Sequence, residues 1–420
     1  MRKLRFKRLP VLRTGSRKPV TVMLLLVLLS VMALTGCTYM FAKDYLVISD
    51  HQDNYTEFLP DSSVQVVSNY SAMKNAVLNL VGSVSEQGYI QTKNYLGDVP
   101  DDISRACYEV TKESPFGAYA VDYIAHDLTP ILSYYEVQIF ITYKRTKEEI
   151  ESIIRVNSAP AMYEQLDAAI KKCKTSIAFL QVSTKIDKEM ILRHVDGFYR
   201  KNPGLVYTLP EMAIYLYPEG ETVQKIIEIK LAYPLRPEEI EKRMNDLNAA
   251  AYLIASNHRE LKDDLTALML CRDLNETAEN IVLDRDPEMQ DIYGEQSSEA
   301  KTAYGALKSF KADSEGYAMA YKLLCDKSGI ECQVIEGRLN SEKHYWNIIK
   351  LSGSYYHVDA FVSDLQGMES AFLKKDSDMW GKYWWDTEKY DECTGELTYE
   401  ALIAQLVQPE ETPPSEGIEE

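Results

Sequence analysis

Hydrophobic and polar residues alternate in two segments of the chain that align with each other at an offset of ninety residues. The first is "YEVQIFITYKRTKEEIESI", residues 135–153, and the second is "KIIEIKLAYPLRPEEIEKR", residues 225–243. Apolar residues at every second position predict a strand, and the charged stretch after each predicts a helix, which Thr146 caps in the first copy. Since an apolar strand and a helix also precede each copy, we interpret the region as two tandem small α+β units, residues 63–174 and 175–255.

Tyrosines are frequent in these two units, as in "FGAYAVDY" and "AIYLYPE". On the face of a sheet they could bind a sugar or a peptide, but half-buried strand positions favour tyrosine in any case, so packing is the simpler interpretation. His126 and His194 have no evident partners in the sequence, and the units show no catalytic pattern. We expect the units to act as spacers or docking modules.

From residue 256 the apolar residues take helical spacing, as in "HRELKDDLTALMLCRDLNETAENIV". The later segment "SEGYAMAYKLLCDKSGIEC" predicts a helix that begins at Ser314 and a strand that follows it. Two alternating strands come next, "HYWNIIKL" with His344 at its head and "YYHVDA" with Asp359 near its end. A hairpin that turns near residue 352 places His344 and Asp359 at similar distances from its tip, so their side chains can pair.

These motifs, in this order and spacing, resemble the transglutaminase-like superfamily, whose fold is related to that of papain-like cysteine proteases. The resemblance covers residues 256–395, with "YWWDTEKYDEC" as the closing segment of the domain. It implies that Ser314 stands at the nucleophile position, where the family has cysteine, that His344 is the base and that Asp359 orients the imidazole. It also implies a cleft lined by Glu315, Gly316, Tyr317 and Trp346.

A hydroxyl in the first turn of this helix is open to three interpretations. The positive end of the helix dipole favours a thiolate, but an effect of about 1 kcal/mol does not close the large pKa gap between serine and cysteine. Ser314 is therefore a helix N-cap, alone or with Asp313, or a working nucleophile with His344 as base, or the remnant of a site that kept its cleft and lost its chemistry. The resemblance favours His344 over His357 as the histidine of the site.

The start of the chain has the composition of an export signal. Eight Lys or Arg residues precede an apolar run from Val20 to Leu34, which as a helix reaches only ~22 Å, against ~30 Å for the hydrocarbon core of a bilayer. The run ends in "LTGC", which resembles the lipobox of bacterial lipoproteins, where the cysteine is lipidated and becomes the mature N-terminus; an uncleaved anchor is the alternative. We therefore expect a signal peptide at 1–36, lipidation at Cys37, a tether at 37–62 and an acidic disordered tail at 396–420.

Removal of this signal peptide takes eight cations from the chain and changes its formal net charge from −18 to −26. A surface this acidic repels nucleic acid, so no nucleic-acid partner is expected. The six cysteines after Cys37 and the six histidines show no CxxC, HxxxH or HExxH spacing, so we expect no metal and no other cofactor. The cysteines are also too sparse for a disulfide framework and are expected to be buried thiols.

Together these features predict a lipid-anchored protein at the extracytoplasmic face of the cell membrane. Its transglutaminase-like domain is expected to bind an extended peptide or a cell-wall component and no longer to catalyse acyl transfer. The enzyme alternative is a peptidase, amidase or acyl transferase that uses Ser314, His344 and Asp359. In a third alternative the protein is structural, the repeated units carry its role and the last domain is a passive cap.

Overall fold

The computed structural model describes residues 64–407, apart from 183–184, 221, 223 and 282–297. The described chain has a mixed α/β architecture and falls into two compact units, one up to residue 107 with 123–142 and one of residues 108–122 with 143 onward. None of the described helices is both long enough and apolar enough to cross a membrane. The predicted signal peptide, Cys37 and the tether lie outside the described residues.

A four-stranded sheet and two helices form most of the first unit, although α2, β3 and β4 cross its boundary: β1 (Gln65–Val66), α1 (Tyr70–Gly82), β2 (Gln87–Gln91), α2 (Val99–Glu113), β3 (Val121–Ile131) and β4 (Tyr134–Tyr143). The strand order is β1-β2-β4-β3, with β1 parallel and β4 antiparallel to β2. Ile90 of β2 lies opposite Val137 of β4, and both side chains are fully buried. The period-two pattern thus packs one face of this sheet.

A second four-stranded sheet lies in the second unit. Its elements are α3 (Pro115–Ala120), α4 (Lys147–Glu151), β5 (Ile154–Val156), α5 (Ala159–Lys171), β6 (Ser176–Gln181), α6 (Lys188–Lys201), β7 (Glu211–Tyr217), β8 (Lys225–Ala232) and α7 (Pro237–Ser256). The order β5-β6-β8-β7 has one parallel pair, β5 with β6, as the first sheet has in β1 with β2. Thr146 caps α4 in a capping box with Glu149, which confirms the predicted helix start.

The segment around residue 174 departs from the predicted arrangement. β5 and α5 precede that residue, yet β5 pairs with β6 and therefore belongs to the second sheet. In strand order the counterpart of β1 is β5, so the second sheet begins before residue 175, the predicted start of the second unit. With only three residues, β5 is too short for an alternating pattern to show in the sequence.

The rest of the second unit surrounds one central helix. Its elements are α8 (Asp263–Thr277), β9 (Glu279–Asn280), α9 (Ala303–Leu307), β10 (Lys311–Ala312), α10 (Ser314–Ser328), β11 (Cys332–Leu339), β12 (Glu342–Leu351), β13 (Ser354–Val358), α11 (Ala360–Gln366), α12 (Met368–Ala371), β14 (Phe372–Lys374), α13 (Asp376–Met379), β15 (Tyr383–Trp384) and α14 (Tyr399–Val407). Five strands form an antiparallel sheet in the order β14-β13-β12-β11-β15. Every residue of α10 from Tyr317 to Cys325 is buried, so this helix is the centre of the packing.

One hydrophobic core runs through the second unit. It includes Leu247 of α7, Leu270 of α8 and Tyr321 of α10, so packed helices lie on both sides of the predicted boundary at residue 256. The same core takes in Leu402 of α14, which is fully buried. This corrects the predicted disordered tail at 396–420 for residues 399–407, which are helical; residues 408–420 lie outside the described chain.

A buried ion pair holds the second sheet. The side chain of Glu228 on β8 is 2% exposed and accepts from Arg145 Nη2 at 2.7 Å and from the Tyr217 hydroxyl at 3.1 Å. A carboxylate at this depth is stable only while such donors face it.

Replacement of Arg145 by alanine is expected to lower the free energy of unfolding by about 3–5 kcal/mol, because it leaves a buried charge without its cation. Arg193→Ala is the matched control, since Arg193 is 68% exposed and pairs with an exposed Glu189 at 3.5 Å. The control should change stability by less than about 1 kcal/mol. Urea denaturation measures both, and equal effects of the two substitutions would contradict a stabilising role for the buried pair.

Candidate functional site

The predicted nucleophile position lies at the start of α10. Asp313 is the N-cap of this helix, and its Oδ1 accepts from the backbone N–H groups of Glu315 at 2.9 Å and Gly316 at 3.1 Å. Ser314 is thus the first helical residue and leaves the capping to Asp313. Within the described chain no residue forms a hydrogen bond with the half-buried Ser314 side chain.

A buried histidine and a buried carboxylate lie close to this helix start. His344 Nε2 is 2.6 Å from Asp359 Oδ2, and the Tyr383 hydroxyl donates to the same oxygen at 2.8 Å. The other oxygen, Oδ1, accepts from the backbone N–H of Val362 at 3.0 Å and so caps α11. Both carboxylate oxygens are therefore satisfied, and the imidazole is held in a fixed orientation.

Two observations connect this pair to α10. The ring of Phe361 packs edge-on against Tyr317 of α10, with centroids 5.5 Å apart, and against His344 at 5.8 Å. Burial raises the pKa of Asp313, and the charge of His344 is among the groups that oppose this rise. The structure brings His344 and Asp359 together near the helix start but forms no hydrogen bond between Ser314 and His344. His344 Nδ1 has no partner in the described chain and is the nitrogen left for a nucleophile or a ligand.

Acidic side chains flank Ser314 on both sides. Burial raises the pKa of Glu315 to about 7; the nearby Arg200 opposes the rise and Asp313 adds to it. Arg200 comes from α6, where it pairs with Asp196 at 2.7 Å and reaches Glu336 of β11 at 2.8 Å. Two half-buried carboxyl groups and one strong cation therefore lie at the helix start.

The residues expected to line the cleft differ in their exposure. Glu315 is half-buried, but Gly316, Tyr317 and Trp346 are buried. A side chain on Gly316 would clash with the backbone carbonyl of Ala300, so this glycine permits a close approach of backbone. Tyr317 and Trp346 expose almost no side chain, and their place along a cleft stays a prediction.

The second histidine of the hairpin is fully engaged elsewhere. Trp346 Nε1 donates to His357 Nδ1 at 3.0 Å, and His357 Nε2 lies 2.8 Å from Asp376 Oδ1. The side chain of Cys393 completes a buried group whose ligand-type atoms lie within 4.8 Å of one another. Since Nδ1 accepts a hydrogen bond, Nε2 carries the proton and the neutral ring has no lone pair left for a metal. This trio is better described as a hydrogen-bonded part of the core than as a metal site.

Two residues of the site escaped the sequence analysis. Tyr383, which holds Asp359, lies in the aromatic segment that was expected only to close the domain. Arg200, whose charge lowers the pKa of Glu315, lies on α6, between strands β6 and β7 of the second four-stranded sheet. The aromatic composition was a signal for Tyr383, whereas nothing local marks Arg200.

Comparison with known proteins gives few matches. No protein-family model matches the sequence, and no curated protein matches it. Among solved structures it is similar to one described as a "TGase" (8% identity, TM-score 0.25, 53% of this chain and 60% of that one), and to "a Putative Cysteine Protease from Cytophaga hutchinsonii" (13%, 0.21, 36% and 62%). It is also similar to "a Putative Protease from Parabacteroides distasonis" (7%, 0.22, 64% and 39%).

The chain thus spans less than two thirds of each of these structures. With TM-scores this low, the likeness by itself assigns no activity to the chain.

Raising the pH from about 4.5 to about 7 is expected to destabilise the protein through Glu315. The unfolded chain ionises this carboxyl near 4.5, while the folded protein keeps it protonated up to about 7. Between these values the native state binds one more proton than the unfolded state, so the free energy of unfolding falls with rising pH, by roughly 3 kcal/mol in total. Urea denaturation at a series of pH values measures this fall.

Glu315→Gln removes the ionisation and keeps the size of the side chain. The variant should lose this part of the pH dependence. Glu151→Gln, at a position where the side chain is 61% exposed, should keep it. A Glu315→Gln variant with the wild-type profile would show that the carboxyl is not protonated in the folded protein.

Proposed function

We propose that this chain is an extracytoplasmic lipoprotein, anchored through Cys37, whose transglutaminase-like domain binds an extended peptide or a cell-wall component without acyl transfer. The observation that carries the proposal is the buried pair of His344 and Asp359 beside a helix start that presents a hydroxyl where the related family has a thiol. The anchor and the location depend on the sequence of residues 1–37. The first sheet is proposed to serve as a spacer.

The surroundings of Ser314 oppose nucleophilic attack. A serine hydroxyl must lose its proton during attack, so negative charge develops at this position. Asp313 already accepts hydrogen bonds from the backbone N–H groups of Glu315 and Gly316. These N–H groups are therefore not available to stabilise the negative charge. Asp313 and Glu315, when ionised, add like charge on either side of the oxygen. These features support loss of turnover.

The remaining geometry supports retention of a binding cleft. The Ser314 hydroxyl and His344 Nδ1 are polar atoms without hydrogen-bond partners in the described chain, and both lie near the start of α10. Polar groups of this kind are suited to the amide groups of an extended chain, which offer one donor and one acceptor per residue. The open Nδ1 is also what favours the second candidate function, a peptidase or amidase with Ser314 as nucleophile.

Labelled peptides should bind to the full chain saturably and without cleavage. The physical reason is that the cleft keeps its hydrogen-bonding groups but has no nucleophile that ionises near neutral pH. Fluorescence anisotropy measures binding, and mass spectrometry of the same mixture measures cleavage. Turnover that disappears in Ser314→Ala would establish the enzyme alternative. Absence of both binding and turnover would favour the structural alternative.

Ser314→Cys tests whether the geometry of the triad survives. A thiol at the helix start near His344 should form a thiolate more readily than an ordinary cysteine, and its alkylation by iodoacetamide at pH 7 should be about tenfold faster. Mass spectrometry of the labelled peptide identifies the modified position. Ser354→Cys is the control, because Ser354 is also half-buried but lies at the tip of the β12–β13 hairpin and not at a helix start.

The enhanced alkylation should be lost when His344→Ala is added to Ser314→Cys. Equal alkylation rates at positions 314 and 354 would show that the site has drifted from the arrangement proposed here.

A further inference from the structure

A cavity of about 300 Å³ opens on the edge of the five-stranded sheet where β11 meets β15. Its walls include Arg338 of β11, Lys343 of β12, Trp384 of β15 and Lys389 of the following segment. Gly337 also lines the cavity, and a side chain there would clash with the backbone carbonyl of Trp384 and with the ring of Trp346. The cavity has the volume of a small ligand site.

The cations of this cavity are only partly neutralised. Glu336 is engaged by Lys343 at 2.9 Å and by Arg200 at 2.8 Å. Arg338 Nη1 donates to the neutral backbone carbonyl of Ser341, and within the described chain neither Arg338 nor Lys389 forms an ion pair with a carboxylate. In a chain whose net charge is −18, two such cations in one cavity favour an anionic ligand group.

One wall of the cavity is an exposed indole. Trp384 is 64% exposed, although tryptophan is usually largely buried. β15 contains only two residues, and their side chains have different roles. Tyr383 donates a hydrogen bond to Asp359, while Trp384 lines the cavity. A flat apolar face beside unpaired cations suits a ligand that has both a ring and a carboxylate.

We propose that this cavity is a binding site for a carboxylate-bearing sugar. The pyranose ring stacks on Trp384, and Arg338 and Lys389 bind the carboxylate, while Asp386 accepts hydrogen bonds from ring hydroxyls. A peptide strand fits less well, since the edge strand here offers only two residues for main-chain pairing. The site lies beyond the proposed peptide cleft and does not depend on chemistry at Ser314.

Three small probe molecules separate the contribution of the sugar ring from that of the carboxylate. D-Glucuronate has the ring and the carboxylate, D-glucose has only the ring, and acetate has only the carboxylate. Ligand-observed NMR titration of the full chain should give at least tenfold tighter binding for glucuronate than for glucose or acetate. Raising the salt concentration should weaken glucuronate binding, because part of it is electrostatic.

Trp384→Ala and Trp380→Ala are a matched pair of variants. Trp380 is 66% exposed and lies in the same segment, but it does not line the cavity. Trp384→Ala should abolish glucuronate binding, and Trp380→Ala should leave it unchanged. Arg338→Ala should reduce glucuronate affinity about tenfold or more and leave glucose binding as it was. Circular dichroism confirms that each variant is folded.

Equal loss in the two tryptophan variants, or no measurable glucuronate binding by the wild type, would overturn the proposal. So would a ring-free acidic peptide that binds as tightly as glucuronate with the same dependence on Arg338, since it would assign the cavity to peptides. Ser314→Ala should leave glucuronate binding intact. Loss of glucuronate binding with peptide binding retained would contradict this proposal alone. Glucuronate binding without peptide binding would contradict the proposed function alone.

Discussion

The buried contact between His344 and Asp359 is the interaction on which the rest of the site depends. One oxygen of Asp359 faces the imidazole and the Tyr383 hydroxyl, and the other accepts the N–H of Val362 at the start of α11. Removing a partner from such a buried pair costs about 3–5 kcal/mol. A single carboxylate thus holds β12, β15 and α11 in one arrangement, so the geometry of the site is also a requirement of the fold.

The structural role of this pair does not depend on which residue stands at position 314. Ser314 makes no hydrogen bond within the described chain, and Asp313 caps the helix, so a change from thiol to hydroxyl at 314 affects reactivity far more than folding. Loss of Asp359 would leave both an imidazole and a helix N-terminus unsatisfied. A histidine and carboxylate pair in this setting is accordingly weak evidence for turnover.

The parts that the sequence predicted are those with local patterns. The alternation along β12 separates Tyr345 and Ile349, which join the main core, from Trp346 and Ile348, which pack in a smaller cluster on the other face. The start of α10 was likewise visible, because an acid and a serine precede its apolar residues.

The parts that were missed have short elements or distant partners. β5 has three residues, and α14 adjoins an acidic, proline-bearing end of the chain, so composition suggested disorder where Leu402 is buried. The contacts of Arg200 and Tyr383 join segments far apart in the chain, and no periodicity encodes such pairings.

Arg200, on a helix that precedes residue 256, contributes to the electrostatics of the region that follows this residue. Its helix, α6, precedes residue 256, yet its guanidinium binds Glu336 and acts on Glu315 beside Ser314. A fragment cut at 256 would lose this cation and uncover the apolar faces of α8 and α10. The two regions are therefore expected to unfold together, in one cooperative transition.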